Sequence, residues 1–231
     1  MFTGIIECVG RVRAVESKAE DSRLWIDGEL PWSEVKLGDS IATNGVCLTA
    51  VTLDARGFAA DVSAESLRHS NLGALSPGAR VNLERAMLAN GRFDGHMVSG
   101  HVDGQARLLR RVSEGRSVVL WFEAPQSLLR YIAVKGSVCL DGISLTVNKV
   151  QGNQFSVNVV PHSSEQTTVA HWAQGQRINI EVDLVARYLE RLLSPETGAG
   201  REEQSAQPAE GGINQQWLLE QGFSGHRSRG R

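Results

Sequence analysis

Asn44-Gly45-Val46-Cys47-Leu48-Thr49 returns 97 residues further on as Asp141-Gly142-Ile143-Ser144-Leu145-Thr146. Two other blocks repeat in the same order. Thr3-Gly4-Ile5-Ile6-Glu7 returns as Ser99-Gly100-His101-Val102-Asp103 at an offset of 96, and Val81-Asn82-Leu83-Glu84 as Ile178-Asn179-Ile180-Glu181 at 97. Three ordered blocks at nearly one offset indicate a duplicated domain. A period near one hundred residues is too long for a solenoid or propeller unit and suits a whole small domain. Two similar domains offer two similar sites, and so room for two similar small molecules.

Working outward from the quoted blocks, Asn44-Gly45 and Asp141-Gly142 are hairpin signals between β-prone runs. Ser40 to Ala42, Cys47 to Leu53 and Gly57 to Val62 in the first half match Ser137 to Leu140, Ile143 to Val150 and Phe155 to Val160 in the second. Helical periodicity is scarce, so the fold class is all-β. About six short strands per repeat, joined by tight turns, favour a small closed barrel or a sandwich, since closure removes exposed sheet edges. After the second repeat, Leu184, Val185, Tyr188, Leu189, Leu192 and Leu193 recur at helical spacing until Pro195. That amphipathic helix packs on its own domains or on another copy of the chain. The Gly, Glu, Gln, Ala and Ser-rich stretch after it reads as a flexible linker before a small apolar motif, Trp217-Leu218-Leu219 with Phe223.

Composition narrows the function. The 231 residues are 41% hydrophobic and 22% charged with a formal net charge of -2, which suits an ordinary globular protein and gives no basic face for nucleic acid. No run approaches the roughly 20 apolar residues that span a bilayer, and no signal peptide is read at the N-terminus, so a cytoplasmic location is expected. Cys8, Cys47 and Cys139 lack zinc-site spacing and are expected as free thiols, with no metal. No phosphate loop, nucleophile elbow or dinucleotide fingerprint is present, and no cofactor is expected.

The mismatches between the copies mark the candidate chemistry. Cys47 stands opposite Ser144, each two residues before a threonine, Thr49 or Thr146, so strand alternation puts each pair on one face. Such a face is either packed in a core or the lining of a pocket. His101 stands opposite Ile5, giving one copy a titratable group that is either a solvated histidine or an acid-base residue. His96, five residues earlier, falls on the opposite face if the segment is a strand, which disfavours a shared metal. Asp183 stands opposite Ala86 and is either a helix N-cap or a functional carboxylate. Lys135 precedes the strand leading to Ser144 and is an anchor for an anion or hydroxyl.

Met1-Phe2-Thr3-Gly4-Ile5-Ile6-Glu7, the two hairpin blocks and Gly95-His96-Met97-Val98-Ser99-Gly100-His101-Val102-Asp103 together resemble the alpha-type riboflavin synthases. The resemblance runs from Met1 to about Leu193. It implies tandem six-stranded Greek-key β-barrels and a homotrimer held by the C-terminal helix. The implied active site lies between the N-barrel of one subunit and the C-barrel of its neighbour. It implies a transferase that dismutates two molecules of 6,7-dimethyl-8-ribityllumazine, by four-carbon transfer and without cofactor, into riboflavin and 5-amino-6-ribitylaminouracil. Carried over by position, Gly4, Ile5, Ile6, Cys47, Leu48, Thr49, Asp61, Val62, Ser63, Ala64, Glu65 and Ser66 become N-barrel ligand contacts. Gly100, His101, Val102, Lys135, Ser144, Leu145, Thr146, Asn158, Val159, Val160, Pro161, His162 and Ser163 become those of the C-barrel. Phe2, Ser40, Cys47, Thr49, His101, Ser144, Thr146 and Asp183 match positions implicated in catalysis. The chain departs from the family at Pro161-His162-Ser163-Ser164, where Pro-Glu-Thr-Leu is usual.

The expected domains are residues 1–96 and 97–183 as lumazine-binding barrels, 184–194 as the oligomerisation helix and 195–231 as a tail. The alternative function is a non-catalytic lumazine- or flavin-binding antenna protein. The sequence alone leaves open which barrel holds donor and which acceptor, and whether lumazine synthase is a docking partner.

Overall fold

The computed structural model describes residues 1–18 and 20–193. The tail at 195–231, with its Trp217 motif, lies outside the described residues. Within Met1–Leu193 the chain forms one compact unit holding both repeats.

The first repeat contains β1 (Cys8–Lys18), β2 (Asp21–Asp27), β3 (Ser40–Thr43), β4 (Val46–Thr49), β5 (Thr52–Leu53), β6 (Gly57–Val62) and β7 (Arg80–Arg85). The second contains β8 (Gly104–Glu114), β9 (Ser117–Glu123), β10 (Ser137–Leu140), β11 (Ile143–Gln151), β12 (Gln154–Val159) and β13 (Arg177–Val182). Short helices α1 (Ala64–His69) and α2 (Pro161–Glu165) come after β6 and β12, and α3 (Leu184–Leu193) comes after β13.

The second repeat is a closed six-stranded barrel in the order β10-β11-β12-β9-β8-β13, every described pair antiparallel. The first is a seven-stranded sheet in the order β4-β3-β7-β1-β2-β6-β5. The two become the same circuit once β4 and β5 are recognised as the two halves of what is one strand, β11, in the other copy. At the joint, the Ala50 N–H reaches the Asp39 carbonyl on one side and the Val51 N–H reaches the Ala59 carbonyl on the other. The equivalent place in β11 is a register shift between Val147 and Lys149. A β-bulge that bends one copy's strand is a full interruption in the other. A further matched pair of bulges, between Val12 and Ala14 and between Leu108 and Arg110, bends the first strand of each repeat.

The hairpin signals hold for a backbone reason. Asn44 and Asp141 have φ of 46° and 44°, and the glycines after them 79° and 84°, the two successive positive values of a type I′ turn. Each barrel has its own core. Leu24, Ile26, Ile41, Phe58 and Leu83 are fully buried in the first; Leu120, Phe122, Phe155 and Ile180 in the second, where the Phe122 and Phe155 rings stack at 5.4 Å.

Between the repeats lies a third, small core of Phe2, Ala42, Val98 and Cys139. Around it the copies exchange hydrogen bonds reciprocally. Asn82 Nδ2 donates to the Asp141 carbonyl and Asn179 Nδ2 donates to the Asn44 carbonyl, both at 2.8 Å. A Cβ added to Gly45 would meet the Gly142 nitrogen at 2.8 Å, and one added to Gly142 would meet the Gly45 nitrogen at 2.9 Å. The two hairpin turns touch backbone to backbone, which only glycine permits.

Candidate active site

The loops that open the two repeats are exchanged. The Ser144 N–H donates to the Gly4 carbonyl at 2.8 Å, and the Cys47 N–H donates to the Gly100 carbonyl at 2.9 Å. Ile6 packs against the core of the second barrel and Val102 against that of the first. Contact is close enough that a Cβ on Gly4 would lie 2.6 Å from Ser144 Cβ, and one on Gly100 2.6 Å from Cys47 Cβ. Where position alone groups Gly4 and Ile6 with Cys47, and Gly100 and Val102 with Ser144, the backbone instead seats Gly4 and Ile6 against the second barrel and Gly100 and Val102 against the first. Phe2 pairs antiparallel with Val98 in an isolated bridge between the repeats, which carries each loop across to the other's strand.

Two buried carboxylates hold the exchanged loops. Glu84 accepts from the Thr3 N–H and hydroxyl, each at 2.7 Å, and from the Gly4 N–H at 3.0 Å. Glu181 does the same for the Ser99 N–H at 2.6 Å, the Ser99 hydroxyl at 2.8 Å and the Gly100 N–H at 3.0 Å. Burial pushes both carboxyls above the usual range, opposed by these same hydrogen bonds. The signal for them was in the sequence: a glutamate ending a repeated apolar block is an unusual thing to duplicate.

Burial alternates along β4 and β11, Val46 and Leu48 inward against Ile143 and Leu145 inward. Cys47 with Thr49, and Ser144 with Thr146, therefore face out of the barrels, toward the exchanged loops. Leu48, Leu145, Val62 and Val159 fill the barrel cores, so as ligand contacts they offer backbone atoms, not side chains. Ser40 opens β3 opposite Thr49 and lines a cavity of about 580 Å³ with Thr3, Ile5 and Asp39.

His96 is the residue that pattern reading missed. The segment around it is irregular, so the opposite-face argument has no strand to act on. His96 is only 7% exposed, while His101 is exposed. His96 Nδ1 lies 2.7 Å from Ser144 Oγ, and Nε2 is buried with no partner. Desolvation lowers its pKa, and the charge of Asp183 works against that. Asp183 also accepts from the Val185 N–H at 3.0 Å, so the capping reading is realised as well.

Lys135 has φ of 68°, and its N–H reaches the Val147 carbonyl; its counterpart is Gly38, φ 92°, whose N–H reaches the Ala50 carbonyl. A lysine is thus kept where the backbone favours glycine, as happens at sites under functional demand. Ser63, exposed, caps α1 through the Ser66 N–H, with Ala64 and Glu65 in its first turn. Asp61 pairs with Arg23 at 2.7 Å. In the second copy Pro161 starts α2, His162 and Val160 are exposed, the Ser163 carbonyl accepts from Thr167, and Asn158 Oδ1 is buried without a partner.

A family model described as the lumazine binding domain matches residues 3–86 and 99–183. The riboflavin synthase of Photobacterium phosphoreum is 48% identical over 194 residues, 84% of this chain and 89% of that protein. That of Mycobacterium bovis is 47% identical over 197 residues, 84% of this chain and 98% of that protein. Among solved structures, LumP complexed with riboflavin aligns at a TM-score of 0.73 and 20% identity, over 79% of this chain and 99% of that one. LumP complexed with 6,7-dimethyl-8-(1'-D-ribityl) lumazine aligns at 0.71, with the same identity and coverage. Two lumazine-binding repeats, cross-laced through their opening loops, place the chain in the riboflavin synthase family.

Proposed function

We propose that this chain is a riboflavin synthase, a transferase that takes two molecules of 6,7-dimethyl-8-ribityllumazine to riboflavin and 5-amino-6-ribitylaminouracil. The observation that carries the reading is the pair of related but unequal clusters. One gathers Gly4 and Ile6 with Ser144 and, on the same strand face, Thr146; the other gathers Gly100 and Val102 with Cys47 and Thr49, Ile5 and His101 following Gly4 and Gly100 in the two loops. Two equal substrates need two related seats, and a dismutation needs those seats to differ.

Holding two reactants in register makes a bimolecular step effectively unimolecular, worth at most about 7–11 kcal/mol of barrier. The outward hydroxyls and thiol are placed to move protons while the four-carbon unit is passed. The segments 61–66 and 158–163 lie at the ends of equivalent strands and complete the two seats, with Lys135 anchoring the ribityl chain or ring oxygens of one lumazine. Residues 1–96 and 97–183 act as the two binding units and 184–194 as the assembly element.

The reacting pair forms when subunits assemble as a homotrimer. Support comes from α3, whose apolar residues face away from the barrel: Val185, Tyr188, Leu189, Leu192 and Leu193 are exposed, the last two by about 80%. The polar side docks inward, with Glu190 bound to Arg130 and Tyr131, and Arg187 to Asp103. A helix that shows its apolar stripe to solvent is built for a second copy. No helix among the described residues is long and apolar enough to cross a membrane. A cytoplasmic location belongs to the same proposal.

Incubating the full chain with 6,7-dimethyl-8-ribityllumazine tests the proposal by absorbance. Riboflavin and the diaminouracil product are expected in equal amounts with no added cofactor. Tight lumazine binding with no riboflavin at any protein concentration would leave a binding protein instead.

A further inference from the structure

We infer that His96 is a positioning residue for proton removal: its imidazole sets the Ser144 hydroxyl to take a methyl proton from the lumazine seated at that cluster, making that lumazine the carbanion of the pair. The inference rests on the riboflavin synthase reading and assigns a chemical role to one of its two seats.

The geometry is that of a hydroxyl and its base. Nδ1 stands 2.7 Å from Ser144 Oγ, a length at which the hydroxyl can hand over its proton. The backbone that carries the ring is held in place, since the His96 main-chain N–H donates to the Thr3 carbonyl at 3.0 Å and the neighbouring Gly95 admits no Cβ, which would fall 1.9 Å from that same oxygen. Burial of an imidazole whose Nε2 finds no partner costs stability. A histidine kept only for packing would more cheaply be replaced by an apolar residue. Desolvation favours the neutral ring, the form that can accept a proton, and the Asp183 charge favours the imidazolium.

Atoms and charge balance in this step. The methyl C–H bond breaks, its proton goes to Ser144 Oγ, and the serine proton passes to Nδ1. The electron pair stays on the methyl carbon and spreads into the lumazine ring. An imidazolium and a lumazine anion result, and the proton returns when the adduct is reprotonated. No oxidant or metal is required.

The other seat has a histidine, His101, but it is exposed and no hydrogen bond joins its ring to Cys47 among the described residues. Cys47 Sγ has no hydrogen-bond partner among the described residues. Among the described residues no imidazole is hydrogen-bonded to Cys47 as His96 is to Ser144. The asymmetry of the two seats is therefore in the coupling of a buried imidazole to the outward group, present at Ser144 and absent at Cys47. The lumazine beside Cys47 is left as the electrophile.

The test uses the full chain in D2O, with deuterium uptake into the substrate methyl group monitored by NMR alongside riboflavin formation. His96→Asn keeps an acceptor near Nδ1 but cannot take a proton. We expect kcat and catalysed methyl exchange to fall by about 10²-fold. KM, riboflavin affinity and Tm should stay close to those of the parent chain. Ser144→Ala should lose the exchange to the same extent, and the double variant should be no worse than either single one. Exchange and kcat within threefold of the parent in His96→Asn would overturn the inference, as would a loss matched by falling riboflavin affinity and Tm. Should His96→Asn not fold, retained exchange in Ser144→Ala would overturn it alone. A parent chain that makes no riboflavin would instead sink the functional reading.

Discussion

The two repeats share a circuit of strands, a turn, a loop-holding glutamate and a bulge, and Thr49 matches Thr146, yet they differ at most of the other points where chemistry is wanted. Cys47 faces Ser144 across the duplication, Gly38 faces Lys135, Ala86 faces Asp183 and Asn44 faces Asp141. Positions that set backbone shape were kept: Gly45 and Gly142, Glu84 and Glu181. Positions that point out of the barrel were free to diverge. Duplication thus supplies geometry twice, and a handful of outward substitutions make one seat unlike the other.

The largest difference between the copies lies at their C-terminal ends, since only the second runs into a helix. Leu189→Glu with Leu192→Glu should put charge on the exposed stripe of α3 without touching the Glu190 and Arg187 contacts that dock it. Sedimentation is expected to give monomer, and riboflavin formation should fall to near background. Full activity in a monomer would show that one chain's two seats suffice.

Next in size is Phe2→Ala. Phe2 is 0% exposed in the small core between the repeats, and Phe-to-Ala changes at such positions cost about 3–5 kcal/mol. Because Phe2 also starts the exchange of loops, turnover should drop by at least about tenfold even at temperatures where the variant stays folded. Denaturant unfolding and the lumazine assay together check this; loss of stability with unchanged kcat would separate the bridge from the seats.

How much of this was legible depends on where information sits in a sequence. The hairpin turns were readable because Asn-Gly and Asp-Gly have few other uses, and the all-β class because β-branched runs alternate with turn residues. The alternation of Cys47 with Thr49 was readable from strand period alone. The exchange of loops was not, because nothing local in Thr3-Gly4 says which of two similar strands it lies on; that is decided by Phe2 and Val98 pairing across the molecule. His96 escaped for the opposite reason. A period-two argument was applied to a segment whose backbone is irregular, and its serine partner lies 48 residues away.

Asp141 allows a finer test. Burial lifts its carboxyl to about 7 from an ordinary 3.8, while the Asn179 N–H and Asn71 Nδ2 donate to it. An acid whose folded value is raised binds its proton more tightly in the fold than in the unfolded chain. Its burden on stability is absent below about 3.8, grows as pH rises, and is complete above about 7. Asp141→Asn restores the chemistry of Asn44, and its Oδ1 can accept both of those bonds. It should flatten the fall in stability between those limits, with a gain of up to about 4 kcal/mol above neutrality. Unfolding at pH 5 and pH 8 reads it, and equal changes at both would mean the carboxyl does not titrate in that window.

The smallest effect is the most discriminating between scaffold and function. Lys135 and Gly38 make the same backbone bond and both have left-handed φ, so exchanging their side chains isolates what the lysine is for. Lys135→Gly relieves a conformation that costs an L-residue about 1 kcal/mol, and part of that returns as the lost flexibility penalty of glycine. A net gain of roughly 0.5 kcal/mol is expected. Gly38→Lys should cost about as much as backbone strain alone, since nothing lies within 4 Å of a Cβ built there. If Lys135 anchors a lumazine, the stabilised Lys135→Gly chain should bind it about tenfold more weakly, a change of ~1.4 kcal/mol in the opposite direction to the change in fold stability. Opposite signs in the two measurements cannot come from a packing role, whereas unchanged affinity would return Lys135 to the scaffold and leave the second seat distinguished by Ser144 and His96 alone.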